Sequence, residues 1–193
     1  MDGRLHDWHA DPAVDCAGVT LIELLITCVL LAILASSAVP AFHQFTLDAR
    51  RTTHVNGLLH ALHAARSAAI LRGEPTVVCK SADQRQCTPG AASWSDGWIV
   101  FANHDHDSPP LVDAGEEILL AQPRIDKLSI ESSRSAVNYW PVALAGTTAT
   151  FIFCDERGTS SARAIIVSQT GRPRISERDS ANQPLKCTAG KPN

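Results

Sequence analysis

From Gly18 to Phe42 the chain reads GVTLIELLITCVLLAILASSAVPAF, an apolar run interrupted by one carboxylate, Glu23, near its start. A membrane-crossing helix needs about 20 predominantly apolar residues. A charge at the centre of such a helix costs about 2.5–3.5 kcal/mol or more. A chain that keeps Glu23 there requires either a partner for it or a segment that later leaves the lipid. The plainer alternative is a signal anchor whose Glu23 reaches the membrane interface.

The residues around that carboxylate carry a recognisable pattern: Gly18, then Val19, Thr20, Leu21, Ile22 and Glu23, with Pro40 farther along the run. This resembles the prepilin peptidase site of type IV pilins and type II secretion pseudopilins. The resemblance implies cleavage after Gly18, N-methylation of the new terminus at Val19, and a leader over residues 1–18. Two departures are visible. The family usually starts its mature chain with Phe, and the leader here, MDGRLHDWHADPAVDCAG, has Arg4 against four aspartates. Basic residues bias a flank to the cytoplasmic side, so this leader gives little help with orientation, and Arg50 and Arg51 lie on the other flank.

The whole chain carries a formal charge of −3; removal of the leader makes it neutral. The charge is uneven, because seven basic residues from Arg157 onward face only Glu177 and Asp179. About 120 residues follow the helical part, enough for one compact domain. Four cysteines, Cys79, Cys87, Cys154 and Cys187, fall there, whereas Cys28 is in the apolar run and Cys16 in the leader. An even count facing an oxidising compartment reads as two disulfides. Three pairings exist; Cys79–Cys87 and Cys154–Cys187 are favoured. Zinc is disfavoured because the spacings contain no CxxC pair, and no metal or other cofactor is expected.

Downstream of Pro40, Val55, Leu58, Leu59, Leu62, Ala65, Ala69 and Ile70 recur at helical spacing. This predicts an amphipathic continuation over 43–73 of the apolar helix over 19–42, kinked at Pro40 and stopped by Gly73-Glu74-Pro75. Such a helix would be about 80 Å long. From residue 74 to 193 the pattern changes to short Val-, Ile- and Phe-rich stretches: 76–79, 97–102, 117–121, 127–131, 149–154 and 162–168. The expected fold is α+β, with a long N-terminal helix packed on an antiparallel β head. The order of elements, Trp94 before Gly97-Trp98-Ile99-Val100-Phe101, and Phe151 to Cys154 before a Gly-Arg-x-Arg and a last cysteine resemble the GspH/FimT branch. That resemblance implies the pilin-like lollipop.

It also implies roles. Glu23 would pair with the methylated amine of a neighbouring subunit during assembly, while Thr20 and Thr27 are expected to bond helical carbonyls. Gly171-Arg172-Pro173-Arg174 reads as a turn whose two arginines suit phosphate oxygens; in FimT-like minor pilins a GRxR motif here is associated with DNA binding. Arg178, Lys186 and Lys191 would widen the patch. Frequent RxR pairs on solvated loops supply the plainer explanation. Asn103-His104-Asp105-His106-Asp107 has the alternation of a metal site but reads as a polar turn. Trp94, Trp98 and Trp140 are expected in the core or in inter-sheet packing, Glu116 and Glu117 on a solvated edge, and His54, His60 and His63 on the helix without a required role.

Three functions compete at this level. The first is a minor pilin of a type IV pilus with a role in DNA uptake. The second is an H-type pseudopilin of a type II secretion system, and the third a signal-anchored periplasmic enzyme. No convergent catalytic residues support the last. The expected partners are other pilins or pseudopilins, prepilin peptidase, an inner-membrane assembly platform, membrane lipid before assembly, and double-stranded DNA. The expected location is a single pass through the inner membrane with the head in the periplasm.

Overall fold

The computed structural model describes residues 18–141 and 146–188; the leader through residue 17, with Cys16, and the tail residue Lys191 lie outside them. One helix, α1, runs over Leu21–Arg72 with Pro40 inside it. Eight strands follow: β1 (Thr76–Lys80), β2 (Trp98–Ala102), β3 (Ile118–Gln122), β4 (Ser129–Ser132), β5 (Ala136–Tyr139), β6 (Ala149–Cys154), β7 (Arg163–Val167) and β8 (Pro173–Ser176). Six lie where the hydrophobic runs predict strands. β5 and β8 correct the sequence reading, and β8 takes in half of the arginine motif.

The chain divides into two compact units, one ending at Gln44 and one from Phe45 onward. In the first, the helix is long and apolar enough to cross a membrane, and its large apolar residues from Val19 to Phe42 are all exposed. Thr20 caps it: its hydroxyl accepts the N–H of Glu23, which satisfies one of the helix's unpaired first-turn donors. The expectation for Thr20 is thereby corrected. Thr27 does donate to a helical carbonyl, that of Leu24.

In the second unit, the remainder of α1 buries Leu47, Arg51, Val55, Leu58, Ala61, Leu62, Ala65 and Ala69, three or four apart on one face. Ile70, expected on that face, is half-exposed. The strands form two four-stranded antiparallel sheets, ordered β3-β2-β1-β5 and β4-β6-β7-β8. Val78, Val100 and Val137 of the first sheet and Phe151, Phe153, Ile165 and Val167 of the second join the helix residues in one core. Alternation along each strand sends the next residue to the opposite face. Thus Val77, Cys79, Ile99 and Phe101 form a second cluster on the far side of the first sheet. Cys154, Ala162, Ala164 and Leu185 form a third on the far side of the second. Each fully buried Leu or Phe contributes about 1.5–3 kcal/mol, so the helix is held mainly by Leu58, Leu62 and the aromatic floor beneath them. Trp94 and Trp98 are buried, and Trp94 meets Phe151 edge-on at 4.8 Å. Trp140 departs from the expected core position; it is exposed and stacks edge-on against His106.

Disulfides join Cys79 to Cys87 and Cys154 to Cys187. The second ties the C-terminal tail across the far face of the β4-β6-β7-β8 sheet. Leu185 packs on that face, and Thr188 donates to Glu131 of β4 through its N–H and its hydroxyl.

Candidate functional site

The arginine motif occupies the hairpin between β7 and β8. Ser168 N–H donates to the Arg172 carbonyl and Gly171 N–H to the Ser168 carbonyl, while the Ser168 hydroxyl accepts Arg172 N–H. Gly171 has φ +70°, and a Cβ there would lie 3.0 Å from Cε1 of Tyr139. Both conditions require glycine: the left-handed backbone, and the ring lying against the Cα. Gly146 crowds the same ring, its own Cβ position being 3.0 Å from Gly171 Cα. Tyr139 is buried, and burial pushes its hydroxyl well above the ordinary tyrosine range, so the ring stays neutral. Gly171→Ala should therefore lower unfolding stability by about 1–3 kcal/mol, read as a drop in the thermal midpoint. An unchanged midpoint would mean that the ring yields freely.

β8 pairs with β7 in the register Val167↔Pro173, Ile166↔Arg174, Ile165↔Ile175 and Ala164↔Ser176. Directly opposed residues share a face, so Arg174 lies with Ile166 and Ala164 on the sheet face turned away from α1. Ser168, whose N–H bonds the Arg172 carbonyl, continues that face, and Arg172 lies two residues before Arg174. Both arginines are exposed, and among the described residues neither forms an ion pair. Pro173 opens an edge strand, the place where a missing N–H is tolerated.

The other residues assigned to the patch are not gathered with this pair. Arg178 donates to the Asn182 carbonyl within its own loop. Lys186 is exposed beside Cys187, whose disulfide partner Cys154 is four residues along β6 from Thr150, roughly 13 Å at about 3.3 Å per residue. Arg163, unremarked in the sequence, pairs with Glu177 at 3.0 Å and removes the tail's nearest acid from competition.

The His-Asp loop does not assemble histidines. His104 Nδ1 is 3.3 Å from Glu74 and His106 faces Trp140. Asn103 organises the turn instead, donating to Asp107 and accepting His106 N–H. The carboxylates of Asp105, Asp107 and Asp113 approach within 4.8 Å of one another. Burial, then the neighbouring Asp105, pushes the Asp113 carboxyl above its ordinary value. Glu117 is an ion-pair member, meeting Arg72 at 2.6 Å, and Glu116 accepts the N–H groups of His104 and Asp113.

Sequence reasoning missed one polar cluster. Asp155, 5% exposed, receives Arg157 through Nε at 3.1 Å and Nη2 at 2.6 Å and the Ser161 hydroxyl at 2.9 Å. Arg157 also reaches Asp48 of α1 at 2.9 Å. Asp48 in turn accepts Arg51, whose other amine donates to the Ser161 carbonyl. Only the local Asp-x-Arg spacing was visible in the sequence.

Comparison with known proteins gives the following. The model of the family described as type II transport protein GspH matches residues 54–171, and that of the prokaryotic N-terminal methylation motif matches residues 15–39. Arg172 and Arg174 lie just beyond the first match. No curated protein sequence matches. Among solved structures, the chain is similar to the type IV minor pilin FimU of Pseudomonas aeruginosa in two crystal forms. One match has TM-score 0.52 and 20% identity, covering 74% of this chain and 98% of that one. The other has TM-score 0.50 and 17% identity, covering 70% and 98%. The minor pseudopilin EpsH of the Vibrio cholerae type 2 secretion system also matches, with TM-score 0.47 and 10% identity, covering 66% and 96%. At these identities the likeness concerns fold alone.

Proposed function

Because the chain belongs to the GspH family and carries the N-terminal methylation motif, we propose that it is a minor pilin of a type IV pilus whose head contacts DNA. The family is one of structural subunits, which sets aside the signal-anchored enzyme, and membership implies a role in building a pilus or pseudopilus with other pilins. In this reading residues 1–18 are a leader cut by prepilin peptidase between Gly18 and Val19. Residues 19–42 hold the chain in the inner membrane in a single pass and then pack in the fibre. Residues 43–73 dock the helix on a periplasmic head formed by 74–193. Glu23, in the first turn of a helix capped by Thr20, would offset the desolvation of a neighbour's terminal amine.

One observation supports DNA contact: Arg172 and Arg174 are exposed on one sheet face without an acidic partner among the described residues, on a turn fixed by Gly171 and Tyr139. Arginine's planar fork matches phosphate oxygens, and such contacts give affinity without sequence readout. The full chain in detergent, with its disulfides formed, should bind a labelled duplex with an affinity that falls with salt. Arg172→Ala/Arg174→Ala should lower the salt slope by about 1.8, about 0.9 for each lost phosphate contact. Duplex binding unaffected by the double substitution would sink this assignment.

An H-type pseudopilin is the second reading, favoured by the description of the matching family model as a type II transport protein. It requires the head to meet other pseudopilins, and absence of duplex binding at low salt by the folded chain would put it first.

A further inference from the structure

The sheet face that carries Arg172 and Arg174 continues into a trough. Thr150 of β6 lies opposite Ile166 of β7, and Ile166 opposite Arg174 of β8, so the three form one row across the strands. Beyond β6 the next strand, β4, ends at Ser132 opposite Phe151, which brings Ser133 into line with that row. A depression of about 340 Å³ lies here, lined among others by Ser133, Arg134, Thr148, Thr150, Ile166 and Ser168. It adjoins a second of about 410 Å³ with which it shares Ser133, Thr150 and Ser180. The Arg134 side chain is exposed and without an ion pair among the described residues; its carbonyl, held by the Trp94 indole N–H at 2.7 Å, anchors the backbone under it. The acids of the second depression are engaged. Glu131 accepts Thr188, and Asp179 accepts the N–H groups of Ala181 and Gln183.

We propose that this trough seats one sugar-phosphate strand of a nucleic-acid duplex, with Arg134 and a hydroxyl floor in its lining and Arg172 and Arg174 on the turn that adjoins it through Ser168. The inference rests on the DNA-contacting reading above and names the rest of its surface. Strands β8 to β4 are three spacings apart, about 14 Å at about 4.8 Å each, wide enough for a backbone ridge between the arginines of the β8 side and Arg134. Serine and threonine hydroxyls are ordinary donors to phosphate oxygens, and Thr148, Thr150 and Ser168 line the floor. Among the described residues no aromatic side chain lines the depression, so they offer no platform on which unpaired bases would stack. That favours a duplex over a single strand.

The test uses the full chain in detergent, a labelled duplex and the single strand of the same sequence, titrated from 50 to 200 mM salt. Arg134→Ala removes an exposed side chain and leaves the Trp94 bond, which is made to backbone. It should weaken duplex binding about fivefold and lower the salt slope by about 0.9. Arg134→Lys should restore the slope, and Arg85→Ala, an exposed arginine on the loop after β1, should leave binding unchanged. If Arg134→Ala binds as the parent does while Arg172→Ala/Arg174→Ala loses binding, the trough is overturned and the arginine turn stands. If the double substitution is silent, the turn and the trough fall together. Tighter binding to the single strand than to the duplex would overturn the duplex assignment.

Discussion

Replacing Arg157 by alanine should lower the unfolding free energy by about 3 kcal/mol, a large share of the 5–15 kcal/mol that holds a domain of this size. The reason is what remains behind. The Asp155 side chain is 3% exposed and gives both oxygens to the guanidinium. Without the Arg157 guanidinium it keeps the Ser161 hydroxyl and the backbone N–H of residue 157, both neutral donors, and a buried charge left without its counter-charge costs more than the pair had contributed. Asp48→Ala should cost much less, because its carboxylate is half-exposed. Acid provides the complementary test. Burial pushes the Asp155 carboxyl up, but hydrogen bonds from the Arg157 side chain and N–H and from Ser161 outweigh it and hold it below the ordinary 3.8. A carboxylate with a depressed folded value stabilises above its unfolded value and loses that contribution as pH falls through the folded one. Stability from Asp155 should therefore be intact at pH 5 and above and decline below about pH 4. Arg157→Ala should flatten that decline. Urea unfolding of the parent and the variant at pH 7 and pH 3.5 measures both effects; a loss at pH 7 no larger than that of Asp48→Ala would refute the account.

The helix and six strands were legible because their signal is periodic. Val55, Leu58, Leu62, Ala65 and Ala69 announce one face, and TVVC, WIVFA and ATFIFC are too rich in β-branched and aromatic residues to be loops. β5 was not legible, since AVNY is four residues long between a serine cluster and Trp140-Pro141. β8 was hidden by its own proline: Pro173 argues against a strand unless it stands first on an edge, and edge position belongs to the assembled sheet. The same holds for the site. The arginine pair was readable as a motif, but its face depends on the register with β7. Arg134, some forty residues earlier, reaches the same trough only through sheet order. The link from Asp48 to Arg157 crosses 109 residues, and no local pattern encodes it. Trp140 was misplaced for a simpler reason: a tryptophan raises the expectation of burial, and here it borders a polar loop.

Gly97→Ala should be more damaging than any other glycine substitution in the head, lowering stability by about 3 kcal/mol or more and the thermal midpoint by about 10 °C. Gly97 joins a short 3-10 turn, Trp94–Asp96, to β2 with φ +121°. A Cβ there would stand 2.4 Å from the Gln122 carbonyl oxygen and 2.8 Å from that of Ser81. Neither carbonyl has freedom to retreat. Gln122 is paired with Trp98 in the β2–β3 ladder, and Ser81 donates its N–H to the Gly97 carbonyl at 2.9 Å. Relief must open one of those pairings or drag Trp94 away from Phe151 and from its bond to Arg134. Gly115→Ala separates the two costs, because Gly115 also has a positive φ, +98°, but nothing within 4 Å of its Cβ position. It should show only the backbone strain, about 1–2 kcal/mol. The difference between the two midpoints then measures the wedge at Gly97. If they coincide, the two carbonyls can move apart, and the junction between β1, β2 and β3 is softer than its hydrogen bonds imply. The surface proposed to seat a duplex shares this junction through the Arg134 carbonyl, so a fold weakened at Gly97 should also loosen the Arg134 side of the trough.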